Sequence, residues 1–130
     1  MAAFPSSEWL SDFMEKLNSD EQYAKIAKNW EGDLLFVIDP DENVTTSAYL
    51  YLDLWHGKCR HVEIRNDIGK VPAFILRSGY SNFLEILSGN LDPMQAMMTR
   101  KLNVKGNMLV MMRNVPTVLD FVRCAREISQ

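Results

Sequence analysis

From Thr46 to Trp55 the chain alternates without interruption. Ala48, Leu50, Leu52 and Leu54 share one face of an extended strand, and Tyr49, Tyr51, Asp53 and Trp55 share the other. Successive side chains of a strand point to opposite sides of a sheet, so this segment requires a sheet with one dry face and a layer that covers it. Arg60 to Arg65 repeats the pattern, with Val62 and Ile64 on one side and His61, Glu63 and Arg65 on the other. Their pairing is a question of register. A two-residue loop at Gly57-Lys58 sets Leu54 opposite His61 and Leu52 opposite Glu63, which mixes apolar and charged groups on one face. A three-residue loop, Gly57-Lys58-Cys59, pairs Leu54 with Val62 and Leu52 with Ile64 and keeps that face dry, so it is the expected hairpin.

Three more strands are predicted: Asp33 to Ile38, ended by the turn signal Asp39-Pro40-Asp41; Pro72 to Arg77; and a short edge strand at Leu102 and Val104. Helices surround them. Ser6 or Ser7 can cap a first helix whose apolar residues Trp9, Leu10, Phe13, Met14 and Leu17 recur at helical spacing. Tyr23, Ile26, Ala27 and Trp30 mark a second, stopped at Gly32. Ser78 is read as the cap of a helix carrying Phe83, Leu84 and Leu87 and closed by Gly89. Asp92-Pro93 starts another, with proline at the first helical position. Met108 to Arg113 begins a last helix that Pro116 interrupts or restarts, and Val118, Leu119, Val122 and Ile128 continue its apolar face. This order predicts an α+β fold in one domain, residues 1–130: a five-stranded, mainly antiparallel sheet with helices packed over one face.

Charge and cysteine usage exclude several functions. The net charge of -3 and the lack of a long basic run argue against nucleic acid. They also argue against strong anchoring to anionic membranes, although local basic patches remain. No apolar run approaches the ~20 residues of a membrane span. The start, Met1 to Glu8, lacks the basic and apolar regions of a signal peptide, and Ile128-Ser129-Gln130 is not a peroxisomal address. Two cysteines are too few for a disulfide framework, so a reduced, cytoplasmic protein is expected. His56, Cys59 and His61 are metal-ligand types on one hairpin, but a fourth ligand is not evident and structural zinc takes four. A Cys–His pair would have only Asp53 or Glu63 to orient it, and no nucleophile elbow occurs. No metal, cofactor or catalytic residue is predicted.

The stretch Leu87–Met112 holds six of the eight methionines: Met94, Met97, Met98, Met108, Met111 and Met112. Unbranched, polarizable thioethers suit walls that adapt to an irregular apolar guest; they also serve as gap fillers in an ordinary core. Arg100, Lys101 and Lys105 beside them are either an anchor for an anionic head or a solvated rim. On the outer strand face, Tyr49, Tyr51 and Trp55 mark either a contact patch, for a membrane or for a second copy in a homodimer, or a surface covered by the N-terminal helix with Trp9 and Phe13.

One part of the chain is distinctive. Phe83-Leu84-Glu85-Ile86-Leu87-Ser88-Gly89, then Leu91-Asp92-Pro93, then Lys101-Leu102-Asn103-Val104-Lys105-Gly106-Asn107-Met108 resembles the sterol carrier protein type 2 family. Arg100 stands where that family often has glycine. The resemblance implies an apolar tunnel between sheet and helices that holds a fatty acid, acyl-CoA, phospholipid or sterol without altering it. It places Phe83, Leu84, Leu87, Met94, Met97, Met98, Leu102, Met108, Met111, Met112 and Leu119 in the tunnel wall, with Leu50, Leu52, Leu54 and Ile75 on the inner sheet face. The break at Pro116 is the natural hinge for entry. The alternative is an interaction module of the same fold with a filled core.

Overall fold

The dry face predicted by the alternating strands is the organising surface. In the computed structural model, which describes residues 3–42 and 45–129, the chain runs α1 (Ser7–Ser19), α2 (Glu21–Ile26), β1 (Leu34–Asp39), β2 (Ala48–Trp55), β3 (Lys58–Arg65), β4 (Phe74–Gly79), α3 (Tyr80–Ser88), α4 (Pro93–Met98), β5 (Asn103–Lys105), α5 (Met108–Arg113) and α6 (Val115–Glu127). Met1, Ala2 and Gln130, part of the terminal signals read above, lie outside the described residues. The five strands form one sheet in the order β3-β2-β1-β4-β5. Only the central pair, β1 with β4, is parallel; the other three pairs are antiparallel. Central β1 is buried from Leu34 to Ile38, as its unbroken apolar run requires of a strand covered on both faces.

The β2–β3 hairpin keeps its apolar residues on one face, dry except at Ile64 on the edge strand, by a different device from the expected loop. Leu52 pairs with Val62 and Leu50 with Ile64, so the predicted faces hold with the partners shifted along the strand. The loop is the two residues His56 and Gly57, at φ 50° and 78°, the positive values of a tight hairpin turn. A bulge then inserts Arg60, so that Leu54 opposes Cys59 while Asp53 opposes His61. A Cβ on Gly57 would also lie 2.8 Å from the Ala24 carbonyl oxygen, so glycine is required there twice over.

Two helix boundaries differ from the sequence reading, and the restart at Pro116 agrees with it. The second helix ends at Ile26, short of Gly32, because the chain beyond it joins the hairpin: His56 N–H donates to Trp30 O (2.7 Å) and Gly32 N–H to Leu54 O (3.3 Å). Ser78 does not cap α3. It is a buried strand residue whose hydroxyl donates to the Lys101 carbonyl, and Gly79 takes the cap position without a side-chain bond. The helix is served from elsewhere by Asp41, whose carboxylate accepts from Ser81 N–H (2.8 Å) and Oγ–H (2.6 Å). At Pro116 the chain restarts: α5 ends at Arg113 and α6 begins at Val115, with Asn114 alone between them.

The two sheet faces differ sharply. The inner one, with Leu34, Phe36, Leu50, Leu52, Leu54, Phe74 and Leu76, meets Trp9, Leu10, Phe13 and Leu17 of α1 and Phe121, Cys124 and Ala125 of α6. Helix α1 therefore lies on the inner face and does not cover Tyr49 and Tyr51. Those two pack with Ile68 over a small outer cluster of Leu35, Val37 and Ile75. Ile75 is thus on the face opposite to the one expected. Parallel pairing sets Phe74 beside Leu34 and Leu76 beside Phe36, and the run Phe74-Ile75-Leu76 is too uniformly apolar to reveal its parity. The Arg65 guanidinium lies 3.9 Å from the Tyr51 ring centre and donates to Ile68 O and Lys70 O (both 3.2 Å), strapping the following loop onto this face.

Arg100 adopts φ 63°, a left-handed conformation in which Cβ crowds the backbone. Replacing it by glycine removes that cost and adds unfolded-state entropy. Arg100→Gly is therefore expected to raise stability by about 0.5 kcal/mol, read from the urea midpoint at unchanged m.

Candidate functional site: an apolar cavity between sheet and helices

The alternation of β1, β2 and β4 sends Leu34, Phe36, Leu54 and Leu76 upward from the sheet, and the helices do not fill all the space above them. A cavity of about 70 Å³ remains. Helix α3 contributes Phe83, Ile86 and Leu87 to its wall, α4 contributes Met97, and α5 contributes Met111. Helix α6 contributes Thr117, Val118, Phe121, Val122 and Ala125, a stripe at three- and four-residue spacing. Trp9, Tyr23 and Trp30 close the remaining sides.

Among the polar groups on this wall, three are committed elsewhere. Trp9 Nε1–H donates to Ser129 Oγ (2.9 Å), Trp30 Nε1–H to Gly32 O (2.9 Å), and Thr117 Oγ1–H to Ile26 O (3.2 Å). A wall lined mainly by apolar groups, with these three donors already partnered, offers a guest dispersion and apolar burial but little directional bonding. Phe4 also touches the cavity, and with Trp9 and Leu87 it lines an adjoining surface groove alongside Tyr80, Leu84 and Ser129. These three side chains stand between the groove and the interior. Phe4 is held there by ring contacts to Trp9 (4.7 Å) and Phe83 (6.0 Å).

The residues expected in the wall separate into groups. Leu54, Phe83, Leu87, Met97, Leu102 and Met111 meet at the cavity. Leu50 and Leu52 are on the inner face but fully buried in the core around it. Ile75 lies behind the sheet. Leu84, Met98, Met108, Met112 and Leu119 face outward, Met98 with 82% of its surface exposed, and half-buried Met94 is not part of the wall. The short helices α4 and α5 turn only one methionine each inward. Sequence reasoning missed Phe36, Leu76, Ile86 and Phe121. For Phe121 a signal was present, since the period of Val118, Phe121, Val122 and Ala125 excludes Leu119.

The remaining reactive groups have other partners. Cys59 and Cys124 are buried free thiols, each pushed up to about 12 by burial, and so stay protonated and poorly nucleophilic at neutral pH. His56 pairs with Glu31 (2.6 Å) and His61 with Glu63 (2.9 Å) at the surface. The donors of Asp20, Asp120 and Cys124 lie close together, but a cation already serves the two carboxylates. Arg123 bonds Asp120 (2.8 Å) and Asp20 (2.6 Å), and Gln22 also donates to Asp120 (2.6 Å). The network ties α2 and the end of α1 to α6, beside the cavity wall. The Arg123 guanidinium holds the Asp20 carboxyl well below the usual carboxylate range, against the opposing effect of burial.

The model of the SCP-2 sterol transfer family matches residues 10–118. The chain belongs to that family. Among solved structures it is similar to a crystal structure of sterol carrier protein 2, with 29% identity and a TM-score of 0.88 over 96% of this chain and 98% of the other. A Thermus thermophilus protein described as a candidate sterol carrier protein gives 29% identity and a TM-score of 0.87, covering 100% and 92% of the two chains. The apo sterol carrier protein 2 of Yarrowia lipolytica shares the fold at 22% identity and a TM-score of 0.65, covering 97% and 95%. No curated protein sequence matches the chain. Membership of the SCP-2 family supports a part in carrying or transferring lipid, and the fold is a lipid-transfer fold. Among the described residues no helix is long and apolar enough to cross a membrane.

The lowered folded-state value of Asp20 fixes the sign of one pH dependence. Its ion pair contributes full stability above the unfolded-state value near pH 4; that contribution declines as the pH falls below it and is gone only below the depressed folded-state value. Asp20→Asn keeps a competent helix cap. It is expected to cost about 1 kcal/mol at pH 7 and a smaller but still measurable amount at pH 3, where the native carboxyl remains ionised, as read from urea unfolding at the two pH values.

Proposed function

We propose that this chain is a non-enzymatic, single-domain carrier that holds one fatty acid, acyl-CoA or related acyl ligand in the cavity between sheet and helices. The observation that carries this reading is the wall itself: an unfilled space lined by alkyl, aromatic and thioether groups, with Trp9, Trp30 and Thr117 already bonded elsewhere. Such a wall rewards apolar area and shape over any particular head group. Burying a chain of about sixteen carbons gains on the order of 10 kcal/mol before ordering and association costs are subtracted. That is ample for micromolar binding with broad selectivity. Two free buried thiols fit the reducing, cytoplasmic setting expected from the sequence.

A cavity of about 70 Å³ is far smaller than such a chain, so loading requires the wall to move. Helix α5 is the element suited to do so. It is six residues long, is joined to α6 through Asn114 alone, and turns only Met111 fully into the core. Swinging about Asn114 and Pro116, it would open the cavity while the sheet and α6 stay in place.

Palmitate at about a hundred times its Kd is expected to raise Tm by about 10 °C. Met111→Trp, which fills the cavity, should remove the shift while the circular dichroism spectrum stays native. Co-purified lipid near one per chain by native mass spectrometry would name the ligand class. If neither palmitate nor palmitoyl-CoA stabilises the wild type and no lipid co-purifies, the carrier reading fails in favour of an interaction module with a filled core.

A further inference from the structure

The residues from Pro93 to Leu119 contain none of the seventeen acidic side chains of the chain and four of its fourteen cations: Arg100, Lys101, Lys105 and Arg113. In a protein of net charge -3 this is a local reversal of sign. All four cations are exposed, and none forms an ion pair among the described residues. The same stretch holds half of the exposed large apolar side chains among the described residues: Met98 (82% exposed), Leu109 (67%), Met112 (58%), Met108 and Leu119. Helix α5 divides by face. Met111 is buried against the cavity, while Met108, Leu109 and Met112 are turned to solvent with Arg113 following them.

We infer that the outer side of the α4–β5–α5 segment is a docking surface for an anionic lipid bilayer. Unbranched methionine and leucine side chains enter the boundary of headgroups and acyl chains. Lysine and arginine, with no acid among them, sit at the level of the lipid phosphates and carboxylates. A second copy of the chain is a poor occupant. A two-fold dimer would set this patch against itself and face four cations with four, and like charges across an interface are repelled. Because α5 has Met111 on its inner side, docking places the movable wall of the cavity directly against the bilayer. Vesicle docking is read without any cargo, so its failure is separable from failure of the carrier reading.

The test is co-sedimentation of the whole chain with phosphatidylcholine vesicles, with and without phosphatidylserine, at low and high salt, alongside the palmitate thermal shift. The expected result is binding to the phosphatidylserine vesicles that weakens with salt. Lys101→Glu/Lys105→Glu should weaken it about tenfold or more, since each cation near the surface is worth about fivefold. Leu109→Ser/Met112→Ser, at exposed positions, should abolish binding while leaving the palmitate shift intact. Lys70→Glu, an exposed cation outside this segment, should bind as the wild type does. Equal binding to both vesicles, no binding, or wild-type binding by either Lys101→Glu/Lys105→Glu or Leu109→Ser/Met112→Ser overturns the proposal. So does a dimer in sedimentation velocity that Leu109→Ser/Met112→Ser dissolves, because the patch would then serve a second copy.

Discussion

Phe121 of α6 meets Phe13 of α1 at 4.8 Å, Phe36 of β1 at 6.0 Å and Tyr23 of α2 at 6.4 Å. This aromatic junction is where the two thirteen-residue helices and the centre of the sheet come together, and the remaining architecture is arranged around it. Tilted rings at these separations bury large areas and fix relative orientation. They hold α1 and α6 over the inner face as a firm frame, reinforced on one flank by the Asp20–Arg123–Asp120 network. What the frame leaves uncovered falls to short elements, α4, β5 and α5, each with only a few residues turned inward. The cavity lies at the seam between the firm part and the loose part. Its position follows from the unequal lengths of the helices that cover the sheet.

Much of this was legible in the sequence wherever pattern and punctuation agree. The alternation of β2 and β3, the caps at Ser6 and Asp92 and the stop at Gly89 all lie where local chemistry and burial make the same demand. The misreadings arose where a distant partner decides. The second helix stops early because Trp30 and Gly32 bond to the hairpin. Helix α3 is served by Asp41, forty residues upstream of Ser81, which leaves Ser78 free to enter the strand. In Phe74-Ile75-Leu76 the parity is set only by parallel pairing with β1. The hairpin was right in its faces and wrong in its loop, because a tight turn with one bulge and a longer loop satisfy the same apolar face.

The candidate site was legible as a region and less so as a set of side chains. Clustering of methionine in Leu87–Met112 located the loosely covered part of the sheet, but methionine fits a wall and a surface equally well. Met97 and Met111 line the cavity, and Met98, Met108 and Met112 do not. A helix six residues long has few positions on each face, so composition cannot say which of them turns inward. Arg100 is instructive in the same way: its left-handed backbone explains why the family often has glycine there, and an arginine at that place keeps its charge beside Lys101.

The bulge at Arg60 is also a barrier. Strand β3 is an edge of the sheet, and an unpaired edge invites strand addition by another chain. Beside the bulge, the Asn18 side chain occupies both backbone groups of Cys59: its Oδ1 accepts from the N–H at 2.8 Å and its Nδ2–H donates to the C=O at 2.9 Å. A side-chain amide thereby does what a neighbouring strand would do, for one residue only. The opposite edge is the three-residue β5, with Asn103 and Lys105 exposed. A sheet so bounded cannot readily grow, which lets the chain keep an incompletely covered apolar face without that face leading to polymerisation.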